Sequence, residues 1–231
     1  GYSRVYGWRN PATPPGLWGG MATHLYLAPE AITIPMDSAV PVAEAAFFNA
    51  LANGIDWVQE VGGVCPSDRV AILGPGPRGL ACVMAAHQAG TSDIAVVGLA
   101  RDSHRLDIAQ RLGATPLIAD NTPLAEMIEE GLGQRPTLVI DTTPVVTHVV
   151  PHALEALAVG GRLVLAGLKG EANADLPVDL VIKKQIRLLS GYGKSVNATS
   201  AAVRMIESRR WQIDQIATHS FGLDEAVRAI E

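Results

Sequence analysis

Gly74-Pro75-Gly76-Pro77-Arg78-Gly79 stands directly after the apolar run Val70-Ala71-Ile72-Leu73 and opens a stretch of helical periodicity. Between a strand and a helix, G-x-G-x-x-G reads as a dinucleotide-binding turn rather than as a chance match. Gly74 then permits the tight turn, Gly76 lets a diphosphate approach the backbone, and Gly79 lets the helix lie close to the strand. Free N–H groups at the helix start point at the anion. Pro77 suits the first turn, where its missing N–H costs nothing, and Arg78 stands where it can neutralise the diphosphate or face solvent. The competing reading is a glycine-rich turn that holds no ligand.

Outward from this turn the chain alternates. Continuous apolar runs at Val70–Leu73, Ile94–Val97, Leu138–Ile140, Leu163–Ala166 and Ile186–Leu189 suit strands covered on both faces, with a weaker strand at Leu117–Ile118. Between them, Leu80, Val83, Met84 and His87, then Leu106, Ala109 and Leu112, then Val146, Val149, Val150, Ala153, Leu154 and Leu157 recur at helical spacing, and Leu124–Glu130 reads as one further helix. Such alternation predicts right-handed βαβ units: an α/β fold with a parallel sheet and helices on both faces. Before it, Val42–Val61 reads as one helix with Gly54 as its weak point. After Ser190, Ala198–Arg209 and Leu223–Glu231 read as helices.

Residues 1–38 differ in kind. Tyr2, Tyr6, Trp8, Trp18 and Tyr26 crowd there among many prolines, with one plausible strand at His24–Leu27. So short a stretch cannot bury those rings by itself, so it reads as a piece of a second, mostly β unit.

Composition bounds the rest. With 231 residues, 48% of them apolar and 18% charged, the chain can bury a sizeable core. A net charge of −5 without a Lys/Arg cluster argues against a nucleic-acid partner. No apolar stretch approaches a membrane span, and Gly1-Tyr2-Ser3-Arg4 does not read as a secretory signal. Cys65 and Cys82 alone imply neither a disulfide framework nor a sulfur-rich metal site, and the default compartment is the cytoplasm. His148 and His152 stand at i,i+4, but Pro151 lies between them and no acidic residue accompanies them, so they read as surface histidines.

In the order of its motifs the chain resembles the medium-chain dehydrogenase/reductase family, the zinc-type alcohol dehydrogenases and their relatives. The resemblance is carried by Gly19-Gly20-Met21-Ala22, by the Gly74–Gly79 turn, by the helix Arg105–Ala114 and by Gly160-Gly161-Arg162-Leu163-Val164-Leu165-Ala166-Gly167. It implies a doubly wound Rossmann sheet over residues 41–195, a remnant of a GroES-like β catalytic domain over 1–40, and helices returning to that domain over 196–231. It also implies truncation at both ends, with much of the catalytic domain missing. Asn49 falls where zinc-dependent members supply a Cys or Glu ligand, and an amide is a poor zinc ligand. Zinc is therefore left open, with no ligand identified in this chain.

The coenzyme itself is read from the second strand. NAD-binding folds end that strand in Asp or Glu, which holds the ribose hydroxyls. Here the position falls at Gly98, followed by Leu99, Ala100, Arg101 and Asp102. Without the acid, Arg101 and, one turn on, Arg105 can bind a 2′-phosphate, which favours NADP over NAD. Alternatively Arg101 is solvated and Asp102 holds the ribose. By resemblance Thr142, Ala166, Gly167, Leu168, Gly191 and Tyr192, all at strand ends, line the rest of the coenzyme, the last five beside the nicotinamide. The expected activity is hydride transfer between that coenzyme and a small alcohol, aldehyde, ketone or enone. The alternative is a non-catalytic nucleotide-binding subunit, and a methyltransferase fits poorly because it too needs the missing acid. The resemblance also implies that the last strand, Ile186–Leu189, lies at a sheet edge and pairs with a second copy in a homodimer or homotetramer; an apolar edge left open would be an aggregation hazard.

Overall fold

Adjacent side chains leave a strand on opposite faces, so an apolar run without alternation is stable only where helices cover both sides. In a computed structural model, which describes residues 6, 9–119 and 122–230, that is what the runs do. Strands β1 (Arg69–Leu73), β2 (Asp93–Gly98), β3 (Thr115–Ile118), β4 (Leu138–Asp141), β5 (Arg162–Leu165) and β6 (Arg187–Ser190) form one sheet in the order β3-β2-β1-β4-β5-β6. Every pairing is parallel. Val70 and Ile72 of β1 and Leu138 and Ile140 of β4 enter one core, while Ala71, Leu73 and Val139 enter the other.

The first core is closed by α2 (Phe48–Ile55), α3 (Pro77–Gln88), α4 (Ser103–Arg111) and α8 (Val196–Glu207), through Leu51, Leu80, Leu106 and Ile206 among others. The second is closed by α5 (Leu124–Leu132) and α6 (Val149–Ala156), with α7 (Val178–Lys184) partly buried against it. A six-stranded parallel sheet wound on both faces is the Rossmann architecture read from the sequence. Strand ends are level: Leu73 pairs with Val97 and with Asp141, Asp141 with Leu165, and Leu165 with Ser190. Their loops therefore share one rim, and the order reverses between β1 and β4, where such sheets take ligands.

Five local expectations are corrected. Val42–Val61 is not one helix but α1 (Val42–Ala45), α2 and a π-helix (Asp56–Val61). Gly54 is no weak point: a Cβ there would lie 2.6 Å from the Ala81 carbonyl carbon, so its bare backbone is what lets α2 cross α3 so closely. The strand expected at His24–Leu27 does not form, because among the described residues no neighbouring strand supplies a ladder; Tyr26 N–H bonds back to the Leu17 carbonyl. The last strand is shifted by one residue, to Arg187–Ser190, and Leu223–Glu231 is a 3₁₀ turn (Leu223–Glu225) followed by α9 (Ala226–Ile230).

Contacts divide the chain into two units, Met36–Ile216, which contains the sheet and α8, and Gly1–Pro35 with Ala217–Glu231. In the smaller unit buried Trp18 gathers the aromatic residues: Tyr6 and Tyr26 meet it edge-on at 5.8 and 5.3 Å. Its indole N–H donates to the Thr13 carbonyl, and the Arg9 guanidinium lies 4.1 Å from its ring. Gly1–Arg4, Trp8 and Glu231 lie outside the described residues. Among the described residues no helix is long and apolar enough to cross a membrane.

Candidate functional site

The turn after β1 is held from both neighbouring strands. Gly74 N–H donates to the Val97 carbonyl, and Thr142 N–H and its hydroxyl donate to the Leu73 carbonyl at 3.0 and 2.8 Å. Gly74 has φ +98°, a conformation that only glycine adopts without strain. A Cβ on Gly79 would fall 1.9 Å from the Gly74 carbonyl oxygen, so α3 can start where it does only because residue 79 has no side chain. At Gly76 an added Cβ would meet nothing within 4 Å, so the backbone there faces open space. Pro77 is the first residue of α3 and costs it no hydrogen bond.

That open space is a cavity of about 960 Å³ at the rim beside the β1/β4 switch point. Gly74, Gly76, Pro77, Arg78, Gly79, Gly98, Arg101, Arg105 and Thr142 all line it. Leu99, Ala119 and Leu124, after β2 and β3, and Val146 and Val149, after β4, give it apolar walls, and Asn49 and His148 also border it. Ala166, Gly167, Leu168, Gly191 and Tyr192 do not line this cavity. They follow β5 and β6 along the same rim: Ala166 N–H and Gly167 N–H both donate to the Asp141 carbonyl, and Gly191 N–H to that of Leu165.

Past Gly98 the cavity meets Arg101 and Arg105, both exposed, with Asp102 between them. The Asp102 carboxylate is already engaged. One oxygen accepts the Leu99 N–H at 3.0 Å, and the other faces Arg105 at 3.4 Å.

Several groups at the rim have no motif to announce them. Lys194 follows β6, where burial pulls its ammonium below the ordinary value; the Arg78 charge acts in the same direction, against Asp56. Burial raises the Asp56 carboxyl, although the Ser195 N–H donated to it at 2.8 Å works the other way. Asp141 ends β4 fully buried: Thr143 donates to it from N–H (2.9 Å) and hydroxyl (2.5 Å), and Lys169 Nζ lies 2.7 Å from its other oxygen. No spacing rule connects residues 141 and 169. Only the register that sets Asp141 beside Leu165 brings them together.

A dinucleotide fits this rim: N–H groups opening α3, a glycine cradle any Cβ at Gly79 would close, and cations on either side. Zinc does not fit the same residues. The Asn49 side-chain oxygen faces the Asn53 amide at 3.4 Å, and among the described residues no group of three His, Cys, Asp or Glu is placed to hold a metal. His148 and His152 are exposed, with rings 6.2 Å apart.

Residues 77–208 match the family model described as zinc-binding dehydrogenase. A "probable alcohol dehydrogenase" of Mycobacterium tuberculosis is 32% identical over 98% of the chain and 63% of its own length. A sorbitol dehydrogenase of Rattus norvegicus is 29% identical over 95% of the chain and 60% of its own length. The chain thus spans about six-tenths of these relatives. Among solved structures, an E. coli short chain alcohol dehydrogenase complexed with NADH superposes with TM-score 0.76 at 22% identity, covering 85% of this chain and 57% of that one. An alcohol dehydrogenase from Thermus sp. ATN1 gives 0.76 at 24% identity, covering 84% and 57%.

Proposed function

Because the chain belongs to the zinc-binding dehydrogenase family, whose model matches more than half of it, we propose that the complete protein is a nicotinamide-dependent oxidoreductase. It moves hydride between the coenzyme and a small alcohol or carbonyl compound, and this chain supplies the coenzyme-binding part. The observation that carries the reading is the Gly74–Gly79 turn opening α3 into a cavity at the β1/β4 switch point. Neither relative named above is a non-catalytic subunit by its description, so the alternative reading has no support there. Residues 1–40 are read as a remnant of the catalytic domain.

The redox chemistry is the coenzyme's own, exchange of a hydride at the nicotinamide ring. What this chain does is bind and orient. The N–H groups opening α3 and the Arg78 side chain neutralise the diphosphate, and Gly76 lets it reach the backbone. Thr142, tied to the Leu73 carbonyl, keeps the turn in place. Ala166, Gly167, Leu168, Gly191 and Tyr192, along the rim, flank the nicotinamide side. No step runs through zinc, because the described residues offer it no ligand set.

The preferred coenzyme is NADP. Gly98 brings no carboxylate to repel a 2′-phosphate, and Asp102, committed to Leu99 N–H and Arg105, is not free to clamp a ribose. Arg101, exposed at the cavity, is the first phosphate ligand and Arg105 the second. β6 is one of the two sheet edges, with Arg187 and Leu188 exposed, and a second copy pairing there gives a homodimer or homotetramer. The free thiols Cys65 and Cys82 suit a reducing cytoplasm.

Titration of the chain with NADPH and NADH, followed by calorimetry, tests the proposal. Saturable heat with a preference for NADPH is expected. No heat with either coenzyme, oxidised or reduced, would overturn it.

A further inference from the structure

The rim contains a buried ion pair that the coenzyme contacts above do not use. Asp141 is fully buried, and Lys169, in the loop after β5, is mostly buried beside it. The ammonium does not stop at the carboxylate: it also donates to the Thr143 carbonyl at 2.6 Å and reaches the Thr143 hydroxyl at 3.2 Å. Thr143 in turn donates twice to Asp141. The next residue back, Thr142, bonds the Leu73 carbonyl and reaches that of Gly74 at 3.2 Å. Packing follows the same line. A Cβ on Gly74 would touch the Thr142 hydroxyl oxygen at 2.9 Å and the Thr143 methyl at 3.2 Å, and one on Gly167 would fall 2.2 Å from the Thr143 carbonyl oxygen. The Thr142–Thr143 turn is thus wedged between the glycine turn after β1 and the loop after β5.

A buried carboxylate left without its cation is expensive, and an ammonium this desolvated gives up much of its hydration. For surface attachment of a loop, neither is needed. The pair ties the end of β4 to the loop after β5, which was assigned above to the nicotinamide side. Its bond to the Thr143 carbonyl stands next to Thr142, which bonds the turn assigned to the diphosphate.

We propose that Lys169 is a positioning residue for the coenzyme: it fixes the Thr142–Thr143 turn and so sets the spacing between the diphosphate turn and the loop after β5. The inference rests on the coenzyme reading given above. Lys169 touches no coenzyme atom in this view; it acts through Thr143 and Asp141.

The test uses the whole chain and two ligands, NADPH and 2′,5′-ADP, the second lacking the nicotinamide half. Lys169→Met should weaken NADPH about tenfold, because the diphosphate turn and the loop after β5 lose their fixed spacing, and 2′,5′-ADP by less than about threefold. Lys169→Arg should recover part of the NADPH affinity. The double variant Asp141→Asn/Lys169→Met leaves no buried charge unpaired; it should regain thermal stability without regaining NADPH affinity. Unchanged NADPH binding in Lys169→Met would overturn the proposal, as would equal weakening of both ligands. Recovery of affinity together with stability in the double variant would reduce Lys169 to a structural role and overturn it too. Absence of saturable binding by the wild-type chain would instead sink the coenzyme reading, and this inference with it.

Discussion

Gly79 lies so close to Gly74 that a Cβ placed on it would come within 1.9 Å of the Gly74 carbonyl oxygen. Three residues earlier, Gly76 has open space where its side chain would be, and its φ of −64° suits any residue. The two glycines should therefore fail differently. Gly79→Ala must displace α3 or the turn and should cost about 2 kcal/mol of stability, in line with overpacking elsewhere, along with coenzyme binding. Gly76→Ala should keep its stability within about 0.5 kcal/mol and still lose coenzyme affinity about tenfold or more, because the methyl occupies the space the diphosphate needs. Denaturant unfolding and coenzyme titration of the two variants check this. Normal binding by Gly76→Ala would contradict it.

Coenzyme choice should respond to Arg101. Arg101→Ala removes the exposed guanidinium nearest Gly98 and should weaken NADPH about tenfold while NADH changes less than about twofold. Competition titrations give both values. A preference that survives the substitution would mean that the 2′-phosphate, if bound, is held elsewhere.

At the opposite end of the same strands, Asp68 accepts the Cys65 N–H at 2.8 Å, the Thr137 hydroxyl at 2.5 Å and the Arg162 guanidinium. Burial alone would raise its carboxyl, but these donors outweigh burial and hold it below the ordinary value. Folding thus favours the ionised form. The stability it contributes is fully present above the ordinary carboxylate pKa and is lost as pH falls through the lowered one. Asp68→Asn should cost about 2 kcal/mol at neutral pH, and its melting temperature should fall less than the wild type's on acidification below about pH 4. Coenzyme affinity should be unchanged, since Asp68 is far along the strands from the rim. Melting curves from pH 6 to pH 3 decide the matter.

The two thiols should separate cleanly. Cys65 is exposed, whereas Cys82 is fully buried in α3, where burial pushes its thiol far above the ordinary value. A thiol-reactive aromatic disulfide should modify one cysteine per native chain, and the second only in denaturant. Rapid modification of both in the native state would contradict the packing of α3 against the sheet.

Much of this was legible in residue patterns, for a physical reason. A strand buried on both faces needs an unbroken apolar run, and Val70–Leu73 and Leu138–Ile140 have no other stable use. The roles of Gly74 and Gly79 were legible because turn and close approach exclude a side chain. Gly54 has the same kind of contact but was misread, since a glycine inside a helical pattern shows nothing of the helix that crosses it. His24–Leu27 was misread because a strand needs a partner that local sequence cannot reveal. Lys169 and Asp141 were missed altogether: their pairing depends on which strands neighbour each other and in what register. The contacts of Asp68 with Thr137 and Arg162 escaped notice for the same reason.

That Asp68 cluster and the glycine turn occupy opposite ends of β1, β4 and β5. A protein engineer can exploit the separation. Reinforcing the end with the aspartate gains resistance to heat and acid without touching ligand preference. Editing the loops at the other end retunes selectivity on a frame already secured from behind.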